Sequence, residues 1–273
     1  MIEVTTLAFA DFHTHTRFSD GRNTIGEMAE EAVLRNMYAL GFTDHSPMEF
    51  EQGYADRQAW LSHRTDAICA LKKEYEGRLE IFAGLELDVN TDIDLTGLDY
   101  VIEGNHFLHV DGEYLPTDWS AKHITDAADK HFGGDIFGYF SRYYEEMCRV
   151  GDRGPAVVGH FDVVAKFNEG ECMFAEDDPR YLSAALSCVE VLAKKDVIFE
   201  VNTGNIFRGL RTKPFPSIPI LKRMHELGCA LILGGDSHCK EALCGSFDDA
   251  LEYIALAGYT GVERYPIMRG RKK

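Results

Sequence analysis

The sequence predicts an α/β fold in which strands and helices alternate to form a β/α barrel. Three observations carry this. Short apolar runs of strand length alternate with longer stretches of helical spacing, each run ends in polar residues suited to chemistry, and 273 residues is a length at which such barrels form as one domain. A parallel barrel brings the C-terminal ends of all its strands to one face, so residues far apart in the chain meet there.

The first run, residues 7–12, ends in His13 and His15, and the helix expected after it, residues 25–40, starts with Thr24 as N-cap and Glu27 three residues on, a capping box. The second run, 38–42, ends in Thr43, Asp44 and His45. The third, 79–85, stops at Glu86, and the fourth, 100–105, at His106. The fifth, 156–159, leads into His160 and Asp162, the sixth, 197–201, into Asn202 and Gly204, and the seventh, 230–235, into Asp236 and His238. Five other histidines, His63, His109, His123, His131 and His225, fall at irregular offsets from the runs and are expected to be ordinary surface or core side chains. The longest connection, 107–154, holds an aromatic stretch at 139–144 that either packs on the barrel as a helix or roofs the pocket, since long connections on this face shape selectivity.

Composition narrows the function. A net charge of −17 argues against an extended nucleic-acid partner, whose binding needs a broad Lys/Arg surface. A small anion could still enter a locally positive pocket, because bound cations add positive charge that formal counting omits. No apolar stretch approaches the roughly 20 residues of a membrane span, and the start of the chain is too short and too charged for a signal sequence, so a cytoplasmic protein is expected. Seven cysteines with no C-x-x-C pair fit neither a disulfide framework nor a zinc ribbon and read as thiols. One domain spanning 1–273 is expected, with 269–273 a solvated basic tail.

His13 and His15 are two apart, which on a straight strand places both rings on one side. For any single histidine, a satisfied core side chain is the commoner role. Histidines and carboxylates recurring at successive strand ends point instead to metal, and imidazole with carboxylate suits zinc, iron or manganese. His13, His15, Asp20, His45, Glu86, His106, His160, Asp236 and His238 make nine candidate ligands, too many for one ion. Two or three divalent ions sharing a carboxylate fit the number, and clustered ions serve hydrolysis of phosphate esters or amides.

The segments His13-Thr-His15-Thr-Arg-Phe-Ser-Asp20-Gly21, Thr43-Asp44-His45-Ser46, Gly84-Leu-Glu86, Gly159-His160-Phe-Asp162 and Gly235-Asp236-Ser-His238 resemble the motifs of the polymerase-and-histidinol-phosphatase (PHP) superfamily, across almost the whole chain. The stretch from Phe199 to Arg208, followed by Pro214-Phe-Pro216-Ser217, is similar to the histidinol-phosphate phosphatases within it. Asn105 before His106, and Lys166, depart from the pattern. The resemblance implies a distorted, TIM-like barrel of seven strands with three metal ions at its mouth. It further implies that His13, His15, Glu86 and Asp236 hold one ion, Glu86, His106 and His160 a second, and Asp20, His45 and His238 a third. Glu86, Asp236 and His238 are the residues it places in catalysis.

The expected activity is therefore hydrolysis of a phosphoric monoester, with L-histidinol phosphate the substrate that the resemblance implies. Another small phosphoester, a phosphotyrosine protein and a non-enzymatic metal-stabilised interaction protein are the alternatives. Guanidinium forks suit a terminal phosphate, so Arg208, then Arg17, with Lys166 as a further contact, are the candidates to hold it. No cysteine or serine occupies a recognisable nucleophile motif, which favours direct attack by water. Asp44 and Asp162 are read as supports for the histidines beside them.

Overall fold

The computed structural model describes residues 9–51 and 56–268; residues 7 and 8 of the first run and the basic tail at 269–273 lie outside them. In chain order, β1 (Ala10–Asp11) is followed by α1 (Ile25–Leu34), β2 (Ala39–Phe42), α2 (Arg57–Glu74), β3 (Glu80–Ala83), β4 (Glu86–Asp88) and β5 (Ile102–Gly104). A hairpin, β6 (Phe107–Val110) and β7 (Glu113–Pro116), then leads into α3 (Ala121–Phe132) and α4 (Ile136–Met147). The remainder is β8 (Ala156–Val158), α5 (Pro179–Leu192), β9 (Val197–Asn202), α6 (Gly204–Phe207), α7 (Ile218–Glu226), β10 (Leu231–Gly234) and α8 (Phe247–Ala255).

Every expected run holds a strand, and all these strands pair in parallel, as the alternation with helices requires. Their hydrogen bonding makes two sheets rather than one continuous one: β1-β2-β3, and β10-β9-β8-β5-β4. The third run is broken between Ala83 and Glu86, where Gly84 donates to Phe42 and Glu86 to Thr43. Single parallel bridges, Thr14 with Ser237 and His45 with Glu86, span the two gaps between the sheets. Asp11 reinforces the first gap by accepting from Gly235 N at 2.9 Å, Ser237 Oγ at 2.9 Å and Cys244 N at 3.1 Å.

Side chains alternate across each strand. Ala10, Ala39, Ile102, Val157, Ile198 and Ile232, one from each of six strands, meet in a small apolar cluster with Phe12 and Tyr100. Their neighbours, such as Phe199, Val201, Leu231 and Leu233, join the larger cluster that α3, α4, α5, α7 and α8 cover, while Leu40 and Phe42 pack with Met28, Ala29 and Ala32 of α1.

The capping box forms as expected: Thr24 Oγ1 accepts from Glu27 N at 3.2 Å, and Glu27 Oε2 accepts from Thr24 N at 2.8 Å. The helix it opens ends at Leu34, not at residue 40, because Asn36 turns the chain at φ 55 and residues 39–42 are already β2. The aromatic stretch in the long connection lies in α4, where Tyr139, Phe140, Tyr143 and Tyr144 are fully buried. It packs against the body of the protein; the hairpin and the turn after it, carrying Phe107, Asp118 and Trp119, reach the pocket instead. No helix among the described residues is long and apolar enough to cross a membrane.

Candidate metal centre

All nine candidate ligands gather at the C-terminal ends of the parallel strands. Glu86 is at the middle of the group, 1% exposed. Its Oε1 lies 2.7 Å from His160 Nε2, 3.0 Å from His106 Nε2 and 3.3 Å from His13 Nε2. Its Oε2 lies 2.9 Å from His45 Nδ1 and 3.4 Å from His15 Nε2. Burial alone would raise the Glu86 carboxyl; His45, His13 and His106 outweigh it and hold the group well below the usual carboxylate range.

Three sets of donor atoms come close enough to share an ion: His13, His15 and Glu86; His45, Glu86 and His106; and His15, Asp20, His45 and His238. Asp236 Oδ1 adds to the first, 3.2 Å from His15 Nε2 and 3.8 Å from His13 Nε2. In the third, Asp20 Oδ2 is 3.0 Å from His238 Nε2, and the half-exposed Asp20 stands at the outer edge. The grouping overlaps the expected partition and differs in placing His45 beside Glu86 as well as beside Asp20.

The donors fit metal. His13 Nε2, both ring nitrogens of His15, and Glu86 Oε2 are buried without a hydrogen-bond partner, an arrangement that is costly unless something else satisfies them. His15, lowered to about 4 by burial and by the neighbouring His238 and His45, is neutral at neutral pH and keeps one ring nitrogen's lone pair for a metal. Asp236 takes φ 45, in the left-handed region, a strained backbone position for a side chain aimed at a functional site.

Of the basic candidates, Arg208 and Lys166 line the cavity that opens over these residues, about 500 Å³ in volume. Arg208 sits at the end of α6, with Nη2 2.8 Å from His238 Nδ1 and 3.1 Å from Asp236 Oδ1. Burial would lower its pKa, but Asp236 more than reverses this. Lys166 follows a 3-10 turn after β8 and donates to Asp118 Oδ2 at 3.0 Å. Arg17 is a correction: it is exposed, its Nε donates to Arg22 O at 2.9 Å, and it lies outside the cavity lining because the loop after His15 turns it outward.

Asp44 and Asp162 are also corrected. Asp44, fully buried, accepts from Thr16 N at 2.6 Å and Thr16 Oγ1, and pairs with the buried Arg64 at 2.8 Å. It thus pins the loop that leads to Asp20 rather than the His45 ring. Asp162 is buried too, and its hydrogen-bond partner is Ser217 N at 3.0 Å rather than the His160 ring.

The sequence reading overlooked Glu200 and Asp118. Glu200 Oε1 lies 2.5 Å from His13 Nδ1, and Oε2 accepts from His160 N at 2.7 Å, so one buried carboxylate braces two candidate ligands. A lone acid at an inward position of an apolar strand was the available signal. Asp118 Oδ2 lies 3.8 Å from His106 Nδ1 and close to Lys166; burial would raise it, but His106 and Lys166 hold it far below its usual range. It falls inside a long connection with no periodicity to mark it. The five irregular histidines all stand outside the cavity.

Known proteins are similar to this chain in sequence and in fold. A histidinol-phosphatase of Bacillus subtilis (strain 168) is 26% identical over 256 residues, covering 84% of this chain and 92% of the relative. A crystal structure of a putative histidinol phosphatase from Listeria monocytogenes superposes with a TM-score of 0.73 at 19% identity, covering 88% of this chain and 99% of the other. One of histidinol phosphate phosphatase from Lactococcus lactis subsp. lactis Il1403, complexed with zinc, L-histidinol and phosphate, does so with a TM-score of 0.68 at 19% identity, covering 95% and 97%. The model of the PHP domain matches residues 11–204, which contain seven of the nine candidate ligands, and with more than half of the sequence matched the chain belongs to the PHP domain family.

Proposed function

We propose that this protein is a metal-dependent phosphomonoesterase that hydrolyses L-histidinol phosphate to L-histidinol and phosphate, a step of histidine biosynthesis. The observation that carries this reading is the buried set of imidazole nitrogens, with one carboxylate oxygen of Glu86, that lack hydrogen-bond partners at the floor of one open cavity. The relative from Bacillus subtilis is named for this activity, and the Lactococcus lactis structure holds zinc with both products of the reaction.

His13, His15, Glu86 and Asp236 would hold one divalent ion, Glu86 with His106 and His160 a second, and Asp20, His45 and His238 a third. Two to three ions of zinc, iron or manganese, when bound, supply positive charge that stabilises phosphoryl oxygens and acidifies water. Glu86, Asp236 and His238 are the central residues of that machinery. Arg208, forked on Asp236 and in contact with His238, keeps both in place and presents its guanidinium to the cavity, where a terminal phosphate would be recognised. Phe107, Trp119, Glu51 and Asp118 line the same cavity and suit the imidazole and ammonium of the leaving alcohol.

The same reading makes 1–273 one domain. The two parallel sheets and the bridges between them would form the distorted seven-stranded barrel of the family, closed between β1 and β10. A small soluble metabolite and a net charge of −17 fit a cytoplasmic enzyme with no extended nucleic-acid partner.

Phosphate release from L-histidinol phosphate and a panel of other phosphomonoesters, with metal measured on the same preparation, tests the reading. Two to three equivalents of metal and preferential release from L-histidinol phosphate are expected. A fully metallated protein that releases no phosphate from any ester overturns it.

A further inference from the structure

Hydrolysis of an alkyl phosphate expels an alkoxide, a far stronger base than the amines and carboxylates of a protein, so a proton delivered to the leaving oxygen eases the step. The phosphate end of the cavity is marked by Arg208 with Asp236 and His238, and the far end by the aromatic pair Phe107 and Trp119, their ring centroids 5.7 Å apart. The leaving oxygen of a substrate spanning the cavity lies between these ends. Asp118 lines the cavity and joins the metal side to the aromatic end through its contacts. One of its oxygens is 3.8 Å from His106 Nδ1 on the metal side and 3.0 Å from Lys166 Nζ, and its neighbour in sequence is Trp119. Lys166 is mostly buried, 16% exposed, yet lines the cavity, and Asp118 holds its ammonium there.

Building on the phosphomonoesterase reading, we propose that Lys166, positioned by Asp118, is the proton donor to the leaving group rather than a phosphate ligand. As the bond from phosphorus to the leaving oxygen breaks and its electron pair passes to that oxygen, Nζ–H gives it a proton and the alcohol departs neutral. The proton shed by the attacking water returns, through solvent, to the Lys166 amine. An ammonium does this, whereas a guanidinium, which is not deprotonated in proteins, does not.

The test compares L-histidinol phosphate with 4-nitrophenyl phosphate, whose stable phenolate leaves without help, in the metallated wild type, Lys166→Met and Lys166→Arg, with metal content and thermal midpoint recorded for each. Both variants are expected to lose kcat/KM on the alkyl ester about 10²-fold more than on the aryl ester, within the range for general acid catalysis. Asp118→Asn should lose in the same selective direction, by less. Equal losses on both esters, no loss on either, or full recovery of the alkyl ester in Lys166→Arg each overturn the assignment, since a phosphate contact or a structural role predicts them. A wild type inactive on both esters overturns the phosphomonoesterase reading itself, and a failure confined to the variants leaves that reading standing.

Discussion

At Glu86, one carboxylate lies within 3.4 Å of His13, His15, His45, His106 and His160, so its charge serves more than one candidate ion at once. Glu86→Gln keeps the size and removes the charge; it should lower kcat/KM by about 10²-fold or more and reduce bound metal, whereas His131→Ala, outside the cavity, should change neither. Metal analysis alongside steady-state kinetics decides this, and equal effects of the two variants would remove Glu86 from the centre. Arg208→Ala should cost about 10²-fold in kcat/KM, and Arg208→Lys should recover little of it, because an ammonium cannot reproduce the fork that holds Asp236. Unchanged kinetics in Arg208→Ala would return the residue to a bystander. Eight of the nine candidate ligands could be found in the sequence because each stands at or just beyond the end of a strand, whereas Asp20 lies in the turn at 17–20. Lys166 could be named but not placed, since nothing in the chain's periodicity shows that Asp118, 48 residues earlier, fixes its ammonium.

The strands were visible as apolar runs, yet the roles of the acids within them were not. Asp11, Glu103 and Glu200 interrupt those runs, and the structure buries all three: Asp11 bonds the β1 end to the loop after β10, Glu103 accepts from Gly151 N, and Glu200 braces His13 and His160. A single acid in an apolar run is thus a structural link whose partner lies in a distant part of the chain, and strand-by-strand reading cannot supply the partner. The division into two sheets was hidden for a related reason. It arises where the third run bends between Ala83 and Glu86, a local backbone event inside an unbroken apolar pattern. Close packing between elements gives a further expectation at Gly104, at the end of β5, where an added Cβ would lie 2.8 Å from His160 Cε1. Gly104→Ala should push the His160 ring away from Glu86, lowering metal content and kcat/KM while the circular dichroism spectrum stays that of the wild type. Full metal occupancy and unaltered kinetics in this variant would show that the ring has room to spare.

Across the whole molecule, the polar floor joins strand ends from both sheets, so stability and site chemistry are linked. Divalent ions that bind the folded chain and not the unfolded one stabilise by mass action, and chelation should lower the thermal midpoint together with phosphatase activity. An activity that survives complete chelation would sink the metal-dependent reading. The metal-free protein then permits a second measurement, centred on Asp162, which lies behind the site with one oxygen on Ser217 N and the other without a hydrogen-bond partner. Burial, assisted by Glu176 nearby, pushes its carboxyl up to about 7 from an ordinary 3.8. Between those values the folded chain keeps a proton that the unfolded chain has released, so the folded state binds more protons and stability falls as pH rises. Below about pH 4 both states are protonated and the penalty disappears; above about pH 7 it is fully present, on the order of a few kcal/mol. Asp162→Asn keeps an oxygen for Ser217 N and carries no charge at any pH. Its stability relative to the wild type, from urea unfolding of chelated samples, should therefore grow as pH rises from about 4 to about 7 and level off beyond, the other titrating groups being common to both proteins. A difference that stays constant across that range would mean that Asp162 ionises in the folded protein as it does in the unfolded chain.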